Sequence, residues 1–546
     1  MPSREYAVDG DQGFIGLNSR DNPVNLGKNF VSRSQNFRMD RGVATLRKGA
    51  ERLTPTAFVS TGRQVFASCT YTDSTGVEFI ILITGDGLYK FNQELESFAS
   101  AFVAFPGGEV ITAADDVDAY QAQGNGYVYI CRGFSKTVLR WDGATTIAIP
   151  APGTHHNYPA SRHAIYYGNR HIVQTDGNTF QVSHYLKDDS WTALDMFSIN
   201  DGGNDRLVAI TPWTLNEFVV FMRNSIFYAN VGVGSYSSGD AATEPDSYVK
   251  SLATDIGCIA KKSVVQAGGG IFFLSDNGVY VANPASSGSA GTSASTPEGM
   301  RLLTIAEPLS SPISDVIERI NYNYVDKAVA TYFENRYYLA VPLDSSTVNN
   351  AVLVYNFVNK AWESVDTYPA GFDIKAFHIA KKGNRRRLFA IDQQEGVYLM
   401  ESLEWDEYGS INPGTPVLDA SASKLDSVGC TLSSATFTPV SISGVLTTRA
   451  YAFDTNREKR FSSVQADISM TVGADMYIDL LVVNPDSTTR LNSFFADANE
   501  DYLLRLPARK SGYYAQVQYT VNAYRPSIRS TTIQALIPGQ MTASKK

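Results

Sequence analysis

The sequence predicts an all-β protein, an irregular β-propeller of about six or seven blades with an added C-terminal antiparallel β-sandwich. Three observations support this prediction. Aromatic residues make up 12% of the 546 residues and charged residues only 18%, and aromatic side chains suit pleated, half-buried surfaces. A short hairpin unit recurs through the first two thirds of the chain. Longer strands of alternating character follow it.

The recurring unit is an apolar strand, a tight polar turn and a short strand with a large apolar residue. The seven copies lie at residues 79–89, 127–141, 171–180, 218–228, 271–280, 337–355 and 388–398. Most steps between equivalent residues are 41 to 52 residues long, close to the repeat of a propeller blade. Because a single hairpin is only marginally stable, the repetition indicates that the units pack side by side. β-sandwiches or barrels in series are the alternative arrangement.

Changes in the residue pattern along the chain predict four regions. These are an N-terminal extended segment at 1–59, the propeller at 60–405, a linker at 406–424 and the sandwich at 425–546. The sandwich is predicted from alternating strands, which suit an antiparallel sheet with one solvated face. Small and polar residues at 284–299 indicate an insertion in the propeller.

Charge is distributed unevenly along a chain whose formal net charge is −9. Residues 1–52 hold nine Lys or Arg against six Asp or Glu, and residues 502–546 hold seven against none. The stretch between them is therefore acidic, whereas an ordinary DNA-binding protein has a basic surface. Basic ends that face solvent or acidic neighbours are equally compatible with this pattern.

Nothing at the start resembles a secretory leader, and no apolar run reaches the length of a membrane-spanning helix. We expect neither a secreted precursor nor a membrane protein. The four cysteines are far apart and form no metal-binding or disulfide pattern, so we expect free thiols made in a reducing compartment. They are Cys69, Cys131, Cys258 and Cys430.

Residues that could carry chemistry do not form a catalytic or metal-binding pattern. Five of the six histidines fall between His155 and His184, but none are spaced four apart as in a helical zinc site. Acidic groups at 9–11, 115–118 and 404–407 could act in a glycosidase only if folding paired them. Phosphate-binding loops and nucleophile elbows are also missing. We therefore predict no enzyme, no metal and no cofactor.

Several segments resemble one family, the tail nozzle proteins of short-tailed bacteriophages, also called hub or packaged-DNA stabilisation proteins. The N-terminal motifs are GLNSR at 16–20 and SQNFRMDRGVATLRKG at 34–49. The order of parts is also similar, with the propeller, a short helix after Ser311 and Pro312, and a sandwich containing residues 449–453 and 459–461. The motifs cover about 40 residues, and the order of parts covers most of the chain.

The resemblance implies a structural virion protein that is located in the phage tail and made in the host cytoplasm. Copies of the chain would form a homohexameric tube below the portal and adaptor rings, which retains packaged DNA and serves as its exit channel. Its partners would be itself, those rings, tail fibre or spike proteins, and double-stranded DNA that passes without sequence-specific binding. An acidic wall suits such a channel, because it offers DNA few phosphate contacts that would hold it.

On this hypothesis the basic residues near both ends lie away from the channel, at contacts with neighbouring subunits or the adaptor. The predicted assembly residues are Arg33, Arg38, Arg41, Arg47, Lys48, Arg505, Arg509 and Arg529. A receptor-binding or glycan-processing propeller of the phage tail is the alternative function. It requires exposed tryptophans and paired carboxylates at one mouth of the propeller, whereas the five tryptophans are dispersed along the repeat. A cellular scaffold propeller is a third hypothesis.

Overall fold

The structure is a computed structural model that describes residues 4–54, 58, 61–122, 126–148, 158–191, 195–200, 203–213, 217–231, 247–284, 300–303, 308–407, 439–483 and 486–538. Residues 285–299 of the predicted insertion, 408–424 of the predicted linker and 425–438 of the predicted sandwich lie outside the described residues. So do His155, His156 and Cys430.

Six short strands come from the N-terminal segment. They are β1 (Arg4–Asp11), β2 (Gly16–Leu17), β3 (Phe30–Gln35), β4 (Phe37–Asp40), β5 (Val43–Leu46) and β6 (Glu51–Arg52).

Seven antiparallel blades of a propeller follow; six are separate sheets, and the sixth blade is the first part of a larger sheet. Blade 1 contains β7 (Val65–Thr72), β8 (Glu78–Thr84), β9 (Gly87–Asn92), β10 (Ser97–Phe98) and β11 (Val103–Ala104). Blade 2 contains β12 (Asp118–Gln121), β13 (Val128–Cys131), β14 (Leu139–Trp141) and β15 (Ile147–Ala148). Blade 3 contains β16 (His163–Tyr167), β17 (Arg170–Gln174), β18 (Thr179–Val182) and β19 (Met196–Ser198). Blade 4 contains β20 (Leu207–Pro212), β21 (Glu217–Met222), β22 (Ile226–Asn230) and β23 (Tyr248–Ala253).

Blade 5 contains β24 (Val265–Ala267), β25 (Gly270–Ser275), β26 (Gly278–Pro284) and β27 (Met300–Leu303). Blade 6 contains β28 (Val329–Phe333), β29 (Arg336–Val341), β30 (Ala351–Asn356) and β31 (Ala361–Thr367). Blade 7 contains β32 (Ile374–Lys382), β33 (Arg385–Asp392) and β34 (Gly396–Leu399), with β6 as its fourth strand. The seven blades confirm the predicted fold class.

The innermost strands show that the ring closes. β7 contacts β12, β12 contacts β16, and β16 contacts β20. β20 contacts the 3₁₀ turn Lys261–Ser263 that leads into β24, then β24 contacts β28, β28 contacts β32, and β32 returns to β7. The outer edge of blade 7 is completed by β6, with Glu51 opposite Leu399 and Arg52 opposite Tyr398. The N-terminal segment therefore supplies the strand that closes the propeller.

Aromatic side chains fill the seams between blades, which accounts for their abundance in the sequence. Five seams contain an aromatic pair with ring centroids about 5 Å apart, within the range favoured for such contacts. The pairs are Tyr71–Trp141 (5.1 Å), Tyr129–His171 (4.8 Å), Phe180–Phe218 (5.5 Å), Phe221–Phe273 (4.9 Å) and Phe272–Tyr337 (5.3 Å).

The C-terminal region is a sandwich of two antiparallel sheets. Its strands are β37 (Gly444–Thr448), β38 (Lys459–Met470), β39 (Asp475–Val483), β40 (Ser487–Phe495), β41 (Glu500–Gly512), β42 (Tyr514–Ala523) and β43 (Ser527–Pro538). One sheet has the order β4-β5-β43-β38-β41, with β1 also beside β43, and the other has β3-β37-β42-β39-β40. Inward side chains such as Phe461, Ile478 and Tyr519 are completely buried between them.

The N-terminal segment also joins the sandwich to the propeller. β3 lies between β31 of blade 6 and β37 of the sandwich, so that one sheet continues from the blade into the sandwich. A two-stranded ladder of β35 (Trp405–Glu407) and β36 (Pro439–Ser441) lies between the two regions in sequence. Residues 1–59, predicted as an extended segment, thus contribute strands to both regions.

Helical structure in the described residues is confined to short turns. Besides Lys261–Ser263 there are 3₁₀ turns at Pro106–Gly108, Ser311–Ile313 and Val325–Lys327, and one α-helix, α1 (Ser314–Ile317). Pro312 lies in the first turn, as expected for a residue without a backbone N–H.

Candidate functional site

Two of the predicted assembly residues, Arg38 and Arg47, are buried inside the chain. The guanidinium of Arg38 spans both carboxylate oxygens of Asp366, at 3.0 and 2.6 Å, and also contacts Glu401. Burial works against its charged form, but these two carboxylates raise the pKa of Arg38 well above its usual value. The prediction of outward contacts is wrong for these two side chains, because both are buried and their charges are paired inside the chain.

Arg47 makes a second buried fork with Asp406, at 3.0 and 2.6 Å. Its guanidinium also donates to Asn36 Oδ1 at 3.1 Å and to the carbonyl oxygen of Thr367 at 2.8 Å. The ring of Tyr368 covers the group at 4.2 Å. This arrangement fixes the N-terminal segment against the start of the segment that follows the propeller.

The remaining N-terminal candidates are exposed. Arg33 on β3 donates to Gln35 Oε1 at 3.3 Å and has no ion pair with any described residue. Arg41 occupies the turn between β4 and β5 with φ of 52°, and Lys48 is exposed after β5. Among the residues that the structure describes, the side chains of Arg41 and Lys48 make no ion pair. These three cations remain available to a partner.

The C-terminal candidates lie together on the outer face of one sandwich sheet. Arg505 is opposite Gln465 on the neighbouring strand, and its guanidinium donates to Gln534 Oε1 at 2.9 Å. Arg509, on the same strand as Arg505, is exposed. Arg529 pairs with Asp501 at 2.9 Å and with Asp467 at 3.5 Å.

Large apolar side chains are exposed on the same face. Gln534, which binds Arg505, lies directly opposite Val8 of β1, and Val8 and Tyr6 are 65% and 68% exposed. Leu503, two residues before Arg505 on β41, is 70% exposed. We name these exposed apolar and basic residues the sandwich face: Tyr6, Val8, Leu503, Arg505, Arg509 and Arg529. Apolar area next to charges is typical of protein contact surfaces.

The centre of the propeller is crossed by an ion pair. Asp116 precedes the inner strand of blade 2 and Lys261 precedes that of blade 5, yet Lys261 Nζ is 2.5 Å from Asp116 Oδ1. Blades 2 and 5 are not neighbours in a ring of seven, so this contact reaches across the central opening. Arg162 of blade 3 also binds Asp116.

Further polar contacts join inner strands around the same axis. His163 Nδ1 is 2.5 Å from Asp118 Oδ2, and Ser68 Oγ is 2.7 Å from His378 Nε2. Burial tends to raise the pKa of Asp118, but Lys261 and the hydrogen bond with His163 lower it well below its usual range. Burial, with a smaller contribution from Lys262, lowers the pKa of His378 to about 3.

The histidine cluster of the sequence separates into individual contacts. His163 binds Asp118, as described above. His171 Nδ1 contacts Tyr120 Oη at 2.6 Å, and burial lowers the pKa of His171 to about 4. His184 contacts Ser190 Oγ at 2.8 Å. Within the described ranges, no three His, Cys, Asp or Glu side chains are grouped as metal ligands.

Most of the acidic side chains singled out in the sequence are bound by a basic side chain of the same chain. Asp9 and Asp11 bind Arg449, at 2.6 and 2.9 Å, and Asp115 binds Lys136 at 2.7 Å. Asp116, Asp118 and Asp406 have the partners already described, and Glu407 accepts a hydrogen bond from the backbone N–H of Arg52 at 3.1 Å. Such pairing suits structural carboxylates rather than the acid and nucleophile of a glycosidase.

Comparisons with known proteins identify no family. No protein-family model matches the chain, and no curated protein matches it. Among solved structures, the extracellular domain of BT4673 from B. thetaiotaomicron aligns with 90% of this chain at 10% identity and a TM-score of 0.40, and the chain covers 63% of that structure's length. NirN, a dihydro-heme d1 dehydrogenase in complex with DHE, aligns over 80% of this chain and 74% of its own length, at 12% identity and a TM-score of 0.36. BBS1N in complex with ARL6DN aligns with 61% of this chain and 75% of its own length, at 11% identity and a TM-score of 0.26.

All three TM-scores are below 0.5, so the fold rests on the sheets and contacts of the chain itself. In the part of the chain that the structure describes, no helix has the length and apolar character needed to cross a bilayer.

The charged residues that meet at the propeller axis have no signature in the sequence. Its members, such as Asp116, Arg162 and Lys261, come from different blades and are brought together only by ring closure. The one available signal is that each lies just before the inner strand of its blade.

Proposed function

We propose that the chain is the subunit of the tail nozzle of a short-tailed bacteriophage. In this proposal it is a structural virion protein whose copies form a homohexameric tube below the portal and adaptor rings. The tube retains packaged DNA and becomes its exit channel during ejection. The N-terminal resemblance over residues 16–49 suggested the family, and the features below support the role.

The observation that carries the proposal is the sandwich face. It combines exposed apolar side chains with arginines, in a chain whose net charge is −9. The acidic stretch between the basic ends of a neighbouring copy is a complementary surface for these arginines. A contact between unlike surfaces of identical subunits generates a ring when the rotation closes.

The ion pair across the centre of the propeller favours a DNA channel between subunits over one through a single subunit. Because the Lys261–Asp116 pair spans the opening of each propeller, a DNA duplex has no route through a single chain. A channel would therefore lie between copies. Acidic walls there would favour sliding, since tight binding of DNA depends on Lys and Arg contacts to its phosphates.

A charge-reversal variant of the sandwich face tests the proposed contact. The triple change Arg505→Glu, Arg509→Glu and Arg529→Glu is expected to shift the chain toward monomer in sedimentation velocity, alone or on adaptor rings. Each substitution replaces attraction to an acidic neighbour by repulsion, and like charges across an interface cost several kcal/mol.

The matched control reverses the same number of charges at exposed cations of the propeller, with Lys187→Glu, Lys250→Glu and Arg385→Glu. Circular dichroism should show both variants folded, since all six positions are at least partly exposed. The pairs of Arg529 with Asp501 and Asp467 are broken by the change, but they lie at the sheet surface, where such pairs contribute little to stability. Equal assembly of the two variants would remove the sandwich face from the proposal.

The alternative, a receptor-binding or glycan-processing propeller of the tail, predicts a different result. Assembly would be indifferent to both triple variants, and the chain would bind or hydrolyse surface polysaccharide. Loss of hydrolysis on Asp86→Asn would favour it, although Asp86 is paired with Arg63 at 3.0 Å.

A further inference from the structure

One mouth of the propeller axis contains a cavity of about 270 Å³ that is lined by both charged and apolar side chains. Its lining comes from the segments that precede the inner strands of blades 2 to 6, with one contribution from the turn between β21 and β22. The charged lining residues are Arg162, Arg206, Arg223 and Lys261, together with Asp116 and Asp326. Mouths of closed β structures are common places for ligand sites.

The cations outnumber the carboxylates in this cavity. Asp116 is shared by Lys261 and Arg162, and Arg223 pairs with Asp276 at 2.9 Å in a contact that is half exposed. Within the described residues, the guanidinium of Arg206 makes no hydrogen bond or ion pair. One arginine is therefore available to a ligand at the mouth, with further cations beside it.

A fifth cation lies further along the axis. Lys262 follows Lys261; burial lowers the pKa of its ammonium group, whereas the nearby Asp118 and Asp116 act to raise it. Its ammonium group makes no hydrogen bond or ion pair to any residue that the structure describes. Basic groups thus extend from the mouth into the channel of a chain that is acidic overall.

We propose that this cavity binds a small, multiply charged oxyanion. Arg206 and Arg223 would hold it by charge-assisted hydrogen bonds, for which the guanidinium fork is suited. Lys261 and Lys262 would add positive potential from the axis. The site is independent of the proposed nozzle function, since it lies within one subunit.

Isothermal titration calorimetry of the full chain tests the site with two probes, inorganic phosphate and citrate, at ionic strength held constant with sodium chloride. The wild type is expected to bind one equivalent with a Kd near or below about 1 mM. Tighter binding of phosphate would identify a phosphate group as the natural ligand chemistry, and tighter binding of citrate would identify carboxylates.

Two substitutions in the cavity should move the affinity in opposite directions. Arg206→Gln is expected to weaken binding about tenfold or more, because it removes a charged donor. Asp326→Asn is expected to tighten binding severalfold, because it removes a carboxylate from the lining. An increase in affinity cannot result from misfolding, so Asp326→Asn remains informative even if Arg206→Gln does not fold.

The control is Arg385→Gln, which removes an exposed cation from blade 7 and should leave the Kd unchanged. Absence of saturable binding by both probes would overturn the proposal. So would equal affinities for the wild type and both cavity variants, which would indicate a general effect of ionic strength.

Discussion

Replacing Arg47 with methionine should weaken the attachment of the N-terminal segment more than any change at an exposed arginine nearby. The substitution removes both contacts to Asp406, at 3.0 and 2.6 Å, and the bonds to Asn36 and Thr367. Asp406, only 4% exposed, is left as a buried charge without its partner.

Breaking a buried ion pair from one side costs about 3–5 kcal/mol. We expect a loss of that size for Arg47→Met in equilibrium urea denaturation followed by tryptophan fluorescence. Arg47→Lys should lose less, since it keeps the charge but cannot contact both carboxylate oxygens as a fork. The double variant Arg47→Met with Asp406→Asn should recover part of the loss, because the uncompensated charge is gone.

The matched control is Arg41→Met, since Arg41 is an exposed arginine of the same segment. Its effect should be within about 0.5 kcal/mol. The reasoning fails if Arg47→Met and Arg41→Met unfold at the same urea concentration, or if the double variant is less stable than the single one.

Three further predictions concern ring closure at Gly396, the buried His378 at the propeller axis and the buried thiol of Cys131. Gly396 has φ of 99°, and an added Cβ would lie 2.7 Å from Thr54 beside the closing strand. Gly396→Ala should therefore cost about 1–3 kcal/mol more than Gly383→Ala, where φ is also positive but space is open, in thermal unfolding. His378 is buried with its pKa lowered to about 3, so its contribution to stability is present above about pH 6.5 and is lost as pH falls, by about 1.4 kcal/mol per unit. His378→Gln should flatten the decline of stability between pH 6 and 4, and an unchanged slope would contradict the assignment. Burial raises the pKa of Cys131 to about 12, so mass spectrometry should find this thiol unmodified by iodoacetamide at pH 8 until the protein is unfolded.

The hairpin repeat was sufficient to predict the propeller, because each copy carries its own local signal. Apolar strands, glycine turns and aromatic residues recur within ten to twenty residues, and Gly278 and Gly396 take the positive φ that the turns require. The long alternating strands of the sandwich were predictable for the same reason, as in β39 and β42.

Ring closure and the role of the N-terminal segment could not be predicted in this way. Glu51 and Arg52 form a strand of two residues whose partner is more than 340 residues later in the chain. The sequence alone predicts Arg38 and Arg47 to be surface cations, because their partners, Asp366 and Asp406, lie in similarly distant segments. The axial cavity has the same origin, since its charges meet only when the seven blades form a ring.

The nozzle proposal is tested most directly by the mass of the full chain in solution, measured by light scattering alone and then with portal and adaptor rings. The account predicts a complex of six copies, either in the free chain or once the adaptor is present. A monomer or trimer that remains unchanged in the presence of both rings would contradict it, and would favour the receptor-binding propeller.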